Sequence, residues 1–562
     1  MTALPILVLA LVQGALLYGL HTAIDHKAWP ATEPGWLFAS YAVAIFVPVA
    51  LEIFGARLRE RFTWAVAAAI AIVAGGLAGY SGWVIDVPNT DRFDFVLPLY
   101  AALFAAWFIA LPFAQGWQRR GTWKVTYPDL FEFSWQNALL LAEAALFTGV
   151  FWILLWLWAA LFNVVDIRFF YDLFSKPAFA YPMSAIAFGY AIYLIESHEK
   201  IVVTLRRHLL GVFGWLLPLV ATIAVLFLLA LPFTGLAPLW KTGHASTLML
   251  WLQVLFIHFL NSAYEDGQAE PRYPGWLKLA LRVAVFALPV YGLLCAYSLG
   301  LRVEQHGWTV SRVWAAIATF LAVVYGVTYA WAALKLSPWL GRLAKINVGL
   351  AATTAGVLLL ATSPILDPKR VSMASQMERL RSGAVAAAKF DYDYLRFNLG
   401  RYGMNALNEL KAGSDKEIAA LASDALARVG RSGGGIPEEV ASRIRLHPDK
   451  AILDPAFVEY LKGALAQSRW EHPSCLYAAG VLCDMFALDL NSDGEPEIVT
   501  FGSHPQAVYS RAGGRWKKVG NLVGDGGYLR AAPTDESQLR IEPPLWSDIV
   551  VGETRYTVQR TP

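Results

Sequence analysis

Charge is scarce in this chain. Only 16% of its 562 residues are Asp, Glu, Lys or Arg, against about 25% in an ordinary soluble domain. A soluble enzyme is excluded on that ground, and disorder is excluded for the bulk of the chain by its apolar content. Net charge is scarce as well: +3 leaves no electrostatic footprint for a nucleic-acid partner. Three Cys are too few for a disulfide scaffold. There is no P-loop, no HExxH and no GxSxG, so nucleotide-driven transport within the chain is not expected. No Lys or Arg precedes the first apolar run, and no clear small-residue cleavage site follows it. That run is read as a retained helix rather than a signal peptide.

Apolar residues are abundant: 57% of the chain, with 22 Trp, 23 Tyr and 31 Phe. A spanning helix needs about 20 apolar residues, and by that criterion about eleven spans are read before residue 366. They lie near 4–24, 35–54, 62–85, 95–115, 136–162, 178–196, 209–232, 244–264, 277–300, 309–334 and 346–365. The composition shifts near Pro364–Asp367, and no later run is long enough to span. The fold expected is an α-helical polytopic membrane bundle over 1–365, followed by a soluble α+β part. That part is divided into a helical domain over 366–470 and a small β-rich domain over 471–562.

Loop charge predicts the orientation. One side collects Arg57, Arg59, Arg61, Arg119, Arg120, Lys124, Lys200, Arg206, Arg207, Arg272, Lys278, Arg282, Lys335, Arg342 and Lys345. The other has Lys27, Arg92, Arg168, Lys176, Lys241 and Arg302. The positive side is cytoplasmic. The N-terminus is then inside, and an odd span count puts everything after about residue 366 outside, in the periplasm of a Gram-negative cell. One span more or fewer inverts that placement.

In the soluble part, Ser375–Arg381 and Asp415–Val429 show helical apolar spacing, with Ser414 or Asp415 available as a cap. A further helix fits Pro455–Ser468. Ile498–Gly502 reads as a strand, and Gln506–Arg511 and Trp516–Leu522 as a hairpin. Before them, in the run Asp489–Glu497, oxygen side chains fall at Asp489, Asn491, Asp493 and Glu497, with Gly494 at the turn. A hard cation such as Ca²⁺ takes oxygen ligands from such a tight loop. An EF-hand would end on Glu, but Thr500 stands there. The run resembles the calcium loop of FG-GAP-type repeats. That resemblance implies side-chain ligation by Asp489, Asn491, Asp493 and Glu497 and a backbone carbonyl from Glu495. The alternative is an Asp/Asn/Gly-rich turn that binds nothing. No second copy is present, so a propeller is not expected. Cys475 and Cys483 flank the approach to the loop: a disulfide in an oxidising compartment, or two buried thiols. Cys295 reads as a buried apolar residue inside a span.

Ionisable and amide groups inside spans are candidates for function or for helix–helix hydrogen bonds. These are Glu143, Gln253, His258 and Asn261, the last two sharing one helix face. Glu52 and Glu196 lie near span ends and are read as reaching water. Asp91, Arg92 and Asp94 form a loop with paired acids, as in lipid-linked glycosyltransferases, but without a long substrate loop. Arg302, Glu304 and His306 form a polar outer turn. Thr309 can cap the next helix, and Arg312 can pair with Glu304 or a lipid headgroup.

Three segments resemble the domain-of-unknown-function 4153 family of bacterial polytopic inner-membrane proteins. They are Tyr297–Arg312 with its Gly-Trp-Thr turn, Ser372–Leu380 with Ser375, Gln376 and Arg379, and Phe390–Gly403 (FDYDYLRFNLGRYG). The resemblance implies a polytopic integral membrane protein and carries no activity or catalytic residues. The function expected is a non-enzymatic envelope protein that presents a calcium-stabilised periplasmic domain to a protein or lipid partner. A secondary transporter or channel component using Glu143 and His258 is the alternative, and a membrane-embedded transferase on a lipid-linked substrate the third reading.

Overall fold

The computed structural model describes residues 3–87, 93–197, 199–236, 245–268, 271, 273–335, 338–427, 440–448, 453–468, 472–476, 482–501, 506–512, 514–522, 539, 549–551 and 554–556. Two compact units divide the chain, Met1–Ser423 and Asp424–Pro562.

The first unit is helical. Among the described residues, eleven of its segments are long and apolar enough to cross a membrane, as hydropathy predicts. They are α1 (Leu4–Asp25), α2 (Pro34–Ile53), α3 (Arg61–Val84), α4 (Phe93–Arg120), α5 (Tyr127–Val164), α7 (Pro177–Glu196), α8 (Glu199–Thr234), α9 (Ala245–Tyr264), the pair α10 (Gly275–Ala284) and α11 (Ala287–His306), α12 (Val310–Ala333) and α13 (Leu343–Ala361). The short α6 (Phe169–Ser175) lies between α5 and α7. The ninth span is broken between α10 and α11. Helix α5 begins well before its expected start because Thr126 and Asp129 form a capping box. The Arg119 and Arg120 side chains reach Asp129 from the end of α4. Two large apolar cores among the described residues hold the bundle, with a smaller cluster around Val313, Ile317 and Ala361. One centres on α2 with Phe38, Phe46 and Trp107, the other on α9 and α11 with Phe256, Leu260 and Tyr291.

After the last span come α14 (Pro368–Arg381), α15 (Tyr392–Asn398) and α16 (Gly400–Lys411). These pack on the spans and belong to the first unit. The stretch 366–470, grouped by composition as one helical domain, is thus divided between the two units. The cause is a set of polar contacts from α14 and α16 to span ends, described below. Helix α17 (Lys416–Ala427) follows, capped by Asp415, whose carboxylate accepts from the Glu417 and Ile418 amides at 2.9 and 3.1 Å.

The second unit carries α18 (Pro455–Ser468) against a five-stranded sheet. Its strands are β1 (Ile444–His447), β2 (Cys483–Leu488), β3 (Glu497–Thr500), β4 (Ala507–Ala512) and β5 (Arg515–Asn521), in that spatial order. Strands β1 and β2 are parallel and the rest antiparallel, and β4–β5 is the expected hairpin. A separate ribbon pairs β6 (Ile549–Val551) with β7 (Thr554–Tyr556). Phe457 and Leu461 of α18 fill the core with Met485, Ile498 and Tyr509. Trp516 Nε1 donates to Asp454 at 2.7 Å, tying the helix start to β5. Cys475 and Cys483 form a disulfide buried in this core.

Candidate functional site

A dense polar assembly in the first unit lies where three span ends meet the helices that follow the last span. Asp367 is buried and caps α14, its Oδ1 accepting from the Lys369 amide at 2.8 Å. Its Oδ2 accepts from the Tyr80 hydroxyl at 2.8 Å, and Tyr80 in turn meets the Tyr402 hydroxyl at 2.8 Å. Lys369 Nζ stands 3.9 Å from Asp367 and 5.1 Å over the Phe95 ring. Burial holds its ammonium below the usual lysine range, and the Asp367 charge opposes that shift. Beside these groups is a pocket of about 40 Å³ lined by Ser81, Phe95, Trp314, Asp367 and Lys369. That room suits a water or a small ion and excludes an organic substrate. Arg401 completes the seam, donating to the Trp83 carbonyl at 2.6 Å and to Asp86 at 2.9 Å.

The turn between α11 and α12 docks on the same helices. Gly307 takes φ +72°, and a Cβ there would lie 2.5 Å from Arg379 Cδ. The Trp308 amide donates to Ser375 Oγ at 3.1 Å, and its carbonyl accepts from Ser372 and Gln376 at 3.1 and 2.9 Å. Arg379 donates to the Glu304 and Gln305 carbonyls at 3.2 and 2.9 Å. The Val310 amide donates to Tyr394 at 2.9 Å. Thr309 caps α12 as its sequence position predicts, accepting from the Arg312 amide. Arg312 differs from expectation. Its guanidinium donates to the Gly307 carbonyl at 2.8 Å instead of pairing with Glu304, because the turn folds back over the first turn of α12. His306 contributes its carbonyl to Gln376 at 3.2 Å. Arg302 lies one helical turn back on α11. The assembly is a clamp: carbonyls left free at helix ends are satisfied by side chains from α14.

The intramembrane candidates do not converge. Gln253 donates to the Ala322 carbonyl at 2.6 Å, joining α9 to α12. Asn261, Tyr329 and Asn347 form a closed triad across α9, α12 and α13, with contacts of 2.8, 2.6 and 2.9 Å. These are interhelical hydrogen bonds of the packing kind. His258 takes no part in that triad. Its ring is exposed among Trp135, Phe213 and Phe259. Glu143 Oε1 is buried with no hydrogen-bond partner among the described residues. Asp91, Arg92 and the side chain of Asp94 lie outside the described residues.

Glu52 differs from expectation. It does not reach water: it is 0% exposed, and neither carboxylate oxygen has a partner among the described residues. The close approach of α7 covers it, since a Cβ on Gly189 would lie 3.1 Å from Glu52 Oε1. The clue available in sequence was the small residues Ala10, Gly14 and Gly189 on spans that cross here.

In the second unit, the acidic loop joins β2 to β3. Asp489 Oδ2 accepts from the Gly494 amide at 3.1 Å, while its Oδ1 is buried without a partner among the described residues. Asn491 Oδ1 accepts from the Asp493 amide and Asp493 Oδ1 from the Glu495 amide, at 2.9 and 2.8 Å. Glu497 is buried and accepts from the Leu490 amide, Asn491 Nδ2 and Ser510 Oγ at 2.9, 3.1 and 3.0 Å. Asn491 Nδ2 also donates to Asp493 at 2.7 Å. Among the described residues no three His, Cys, Asp or Glu side chains are gathered closely enough to hold a metal. The donor set is nevertheless all oxygen, and the orphaned Asp489 Oδ1 gives a cation one ready ligand. The Asn491 amide nitrogen and a cation would compete for the same carboxylates.

No curated protein and no solved structure matches the chain. The family described as Domain of unknown function (DUF4153) matches residues 41–410, which include the whole clamp from Tyr80 to Tyr402. That match spans more than half of the sequence, and the chain belongs to this family.

Proposed function

We propose that this is a non-catalytic protein of a bacterial cytoplasmic membrane, with its N-terminus inside and its second unit outside. That unit works by binding an envelope partner, and Ca²⁺ steadies its β2–β3 loop. The observation that carries the reading is the Cys475–Cys483 disulfide, which ties the segment before β2 to the first residue of that strand and fits an oxidising compartment. Two features support it. Basic residues concentrate in the loops assigned to the cytoplasm. The ends of α3, α11 and α13, all odd-numbered spans, meet in one clamp, as an unbroken alternation of eleven spans requires. Asp489, Asn491, Asp493 and Glu497 would hold the ion with the Glu495 carbonyl, and its role there is to offset the repulsion of three carboxylates. The transporter alternative gains nothing from Gln253 and Asn261, which are used in helix packing.

The test is the melting of the full-length protein with Ca²⁺ and with chelator. A rise in the second unit's transition on adding Ca²⁺ is expected, and no shift would remove the ion from the account. Loss of the disulfide from protein isolated with thiols blocked would remove the outer placement.

A further inference from the structure

At the opposite end of the ninth span from the Gly307 turn, α8, α9 and α10 enclose a cleft of about 570 Å³. That volume lies in the range of sites that take small molecules, about 300–1,000 Å³. Its walls are apolar: Leu210, Trp215, Pro218 and Leu277. Among the described residues two charges of opposite sign stand in the lining, Arg207 and Glu265. Both are exposed, and among the described residues neither side chain is engaged in an ion pair. Gly211 faces open space, since a Cβ built there meets nothing within 4 Å. The Tyr273 hydroxyl donates to the Gly214 carbonyl and fixes the rim segment against α8. Trp215 and Trp276 are 86% and 71% exposed, as aromatic residues are where a bundle meets the headgroup layer.

We propose that this cleft binds a membrane glycerophospholipid with a primary-ammonium headgroup, of the phosphatidylethanolamine type. The guanidinium of Arg207 matches the phosphate, for which Arg offers several directed donors. The Glu265 carboxylate matches the ammonium and disfavours headgroups with a second negative charge. The apolar wall takes the upper acyl chain, and membrane lipid is the solvent that surrounds this end of the spans. A purely basic cleft would select anionic lipid; the acid in the lining is what turns the preference toward a zwitterion with N–H donors. The inference is independent of the calcium loop and of the second unit's placement.

The test uses full-length protein stripped of lipid in detergent and titrated with short-chain phosphatidylethanolamine, phosphatidylcholine and phosphatidylglycerol. Bound lipid is counted by native mass spectrometry. A charged hydrogen bond is worth enough to change affinity by about tenfold, so phosphatidylethanolamine should bind at least that much tighter than the other two. Glu265→Gln should abolish the preference while leaving phosphatidylcholine binding unchanged. Arg207→Gln should weaken all three lipids, and Gly211→Phe should block the cleft. Each variant is checked for an unchanged melting temperature without lipid; because three separate substitutions are used, one that fails to fold leaves the other two as the test. Equal binding of the three lipids, tighter binding of phosphatidylglycerol, or a preference that survives Glu265→Gln would overturn the proposal. So would free phosphoethanolamine binding as tightly as the lipid.

Discussion

Tyr80 and Asp367 lie 287 positions apart in the chain and meet in a 2.8 Å hydrogen bond. Asp367 also caps α14. One carboxylate thus joins the end of the third span to the first helix after the eleventh. Tyr402, from α16, completes the contact at the Tyr80 hydroxyl.

Removing that hydroxyl isolates part of a buried carboxylate. Tyr80→Phe should cost about 1–3 kcal/mol of stability, the range for a buried charged acceptor losing its donor. Tyr402→Phe should cost less, since Asp367 keeps Tyr80. The two changes act on one network, so the double variant should be little worse than Tyr80→Phe alone. Melting of the purified protein in a fixed detergent measures all three.

Lys369 gives the clamp a pH signature. Its folded-state pKa is lowered by burial, while an unfolded lysine titrates near about 10.4. Between those two values the unfolded chain binds more protons than the folded one. Stability attributable to this residue therefore rises with pH through that window. Below the folded value the full cost of burying the ammonium remains. Lys369→Met should lack the alkaline rise. Parallel pH curves for the two proteins would refute the assignment.

Gly307 is required by its backbone and by its neighbours. At φ +72° a side chain is strained, and a Cβ would lie 2.9 Å from Gln376 Nε2 as well as against Arg379. Gly307→Ala should destabilise by about 1–3 kcal/mol and loosen α14 from the turn. Hydrogen exchange at the Trp308 and Val310 amides should increase, because Ser375 and Tyr394 hold them.

The acidic loop predicts a contrast between two variants. Glu497 holds Leu490 and Ser510 in addition to facing the loop. Glu497→Gln should therefore destabilise the second unit with or without Ca²⁺. Asn491→Asp replaces a donor that bridges two carboxylates with a further negative charge. It should lower the melting temperature in chelator and enlarge the gain from Ca²⁺. At about 100 times the dissociation constant, binding adds about 2.7 kcal/mol. Identical Ca²⁺ responses in wild type and Asn491→Asp would contradict the ligand assignment.

Local signals in the sequence reported local structure well. Each span announces itself by length and apolarity, and Thr309 and Asp415 cap helices as their positions predict. Helix Pro455–Ser468 and the β4–β5 hairpin are equally legible, and of the two states open to Cys475 and Cys483 the structure has the disulfide. What was not legible depends on distant chain. Tyr80 looks like an ordinary interfacial tyrosine until Asp367 is brought to it. Glu52 looks free to reach water until α7 closes over it. Arg312 was expected to seek a carboxylate, but the carbonyls of its own turn are nearer. His258 and Asn261 share a face by spacing, yet among the described residues the Asn261 side chain meets polar partners and the His258 ring meets aromatic ones, because packing against neighbouring helices decides what each touches. The break between α10 and α11 falls just before Pro289, which lacks the amide that would bond back to Val285; a reading by apolar length alone passes over it.

The most direct test of the account is a full-length chain carrying alkaline phosphatase at its C-terminus, compared with the same fusion to a fluorescent protein that matures only in the cytoplasm. Eleven spans with the basic loops inside predict an active phosphatase and a dark fluorescent fusion. An inactive phosphatase with a bright fluorescent fusion would place the second unit in the cytoplasm, contradicting both the topology and the outward-facing binding role.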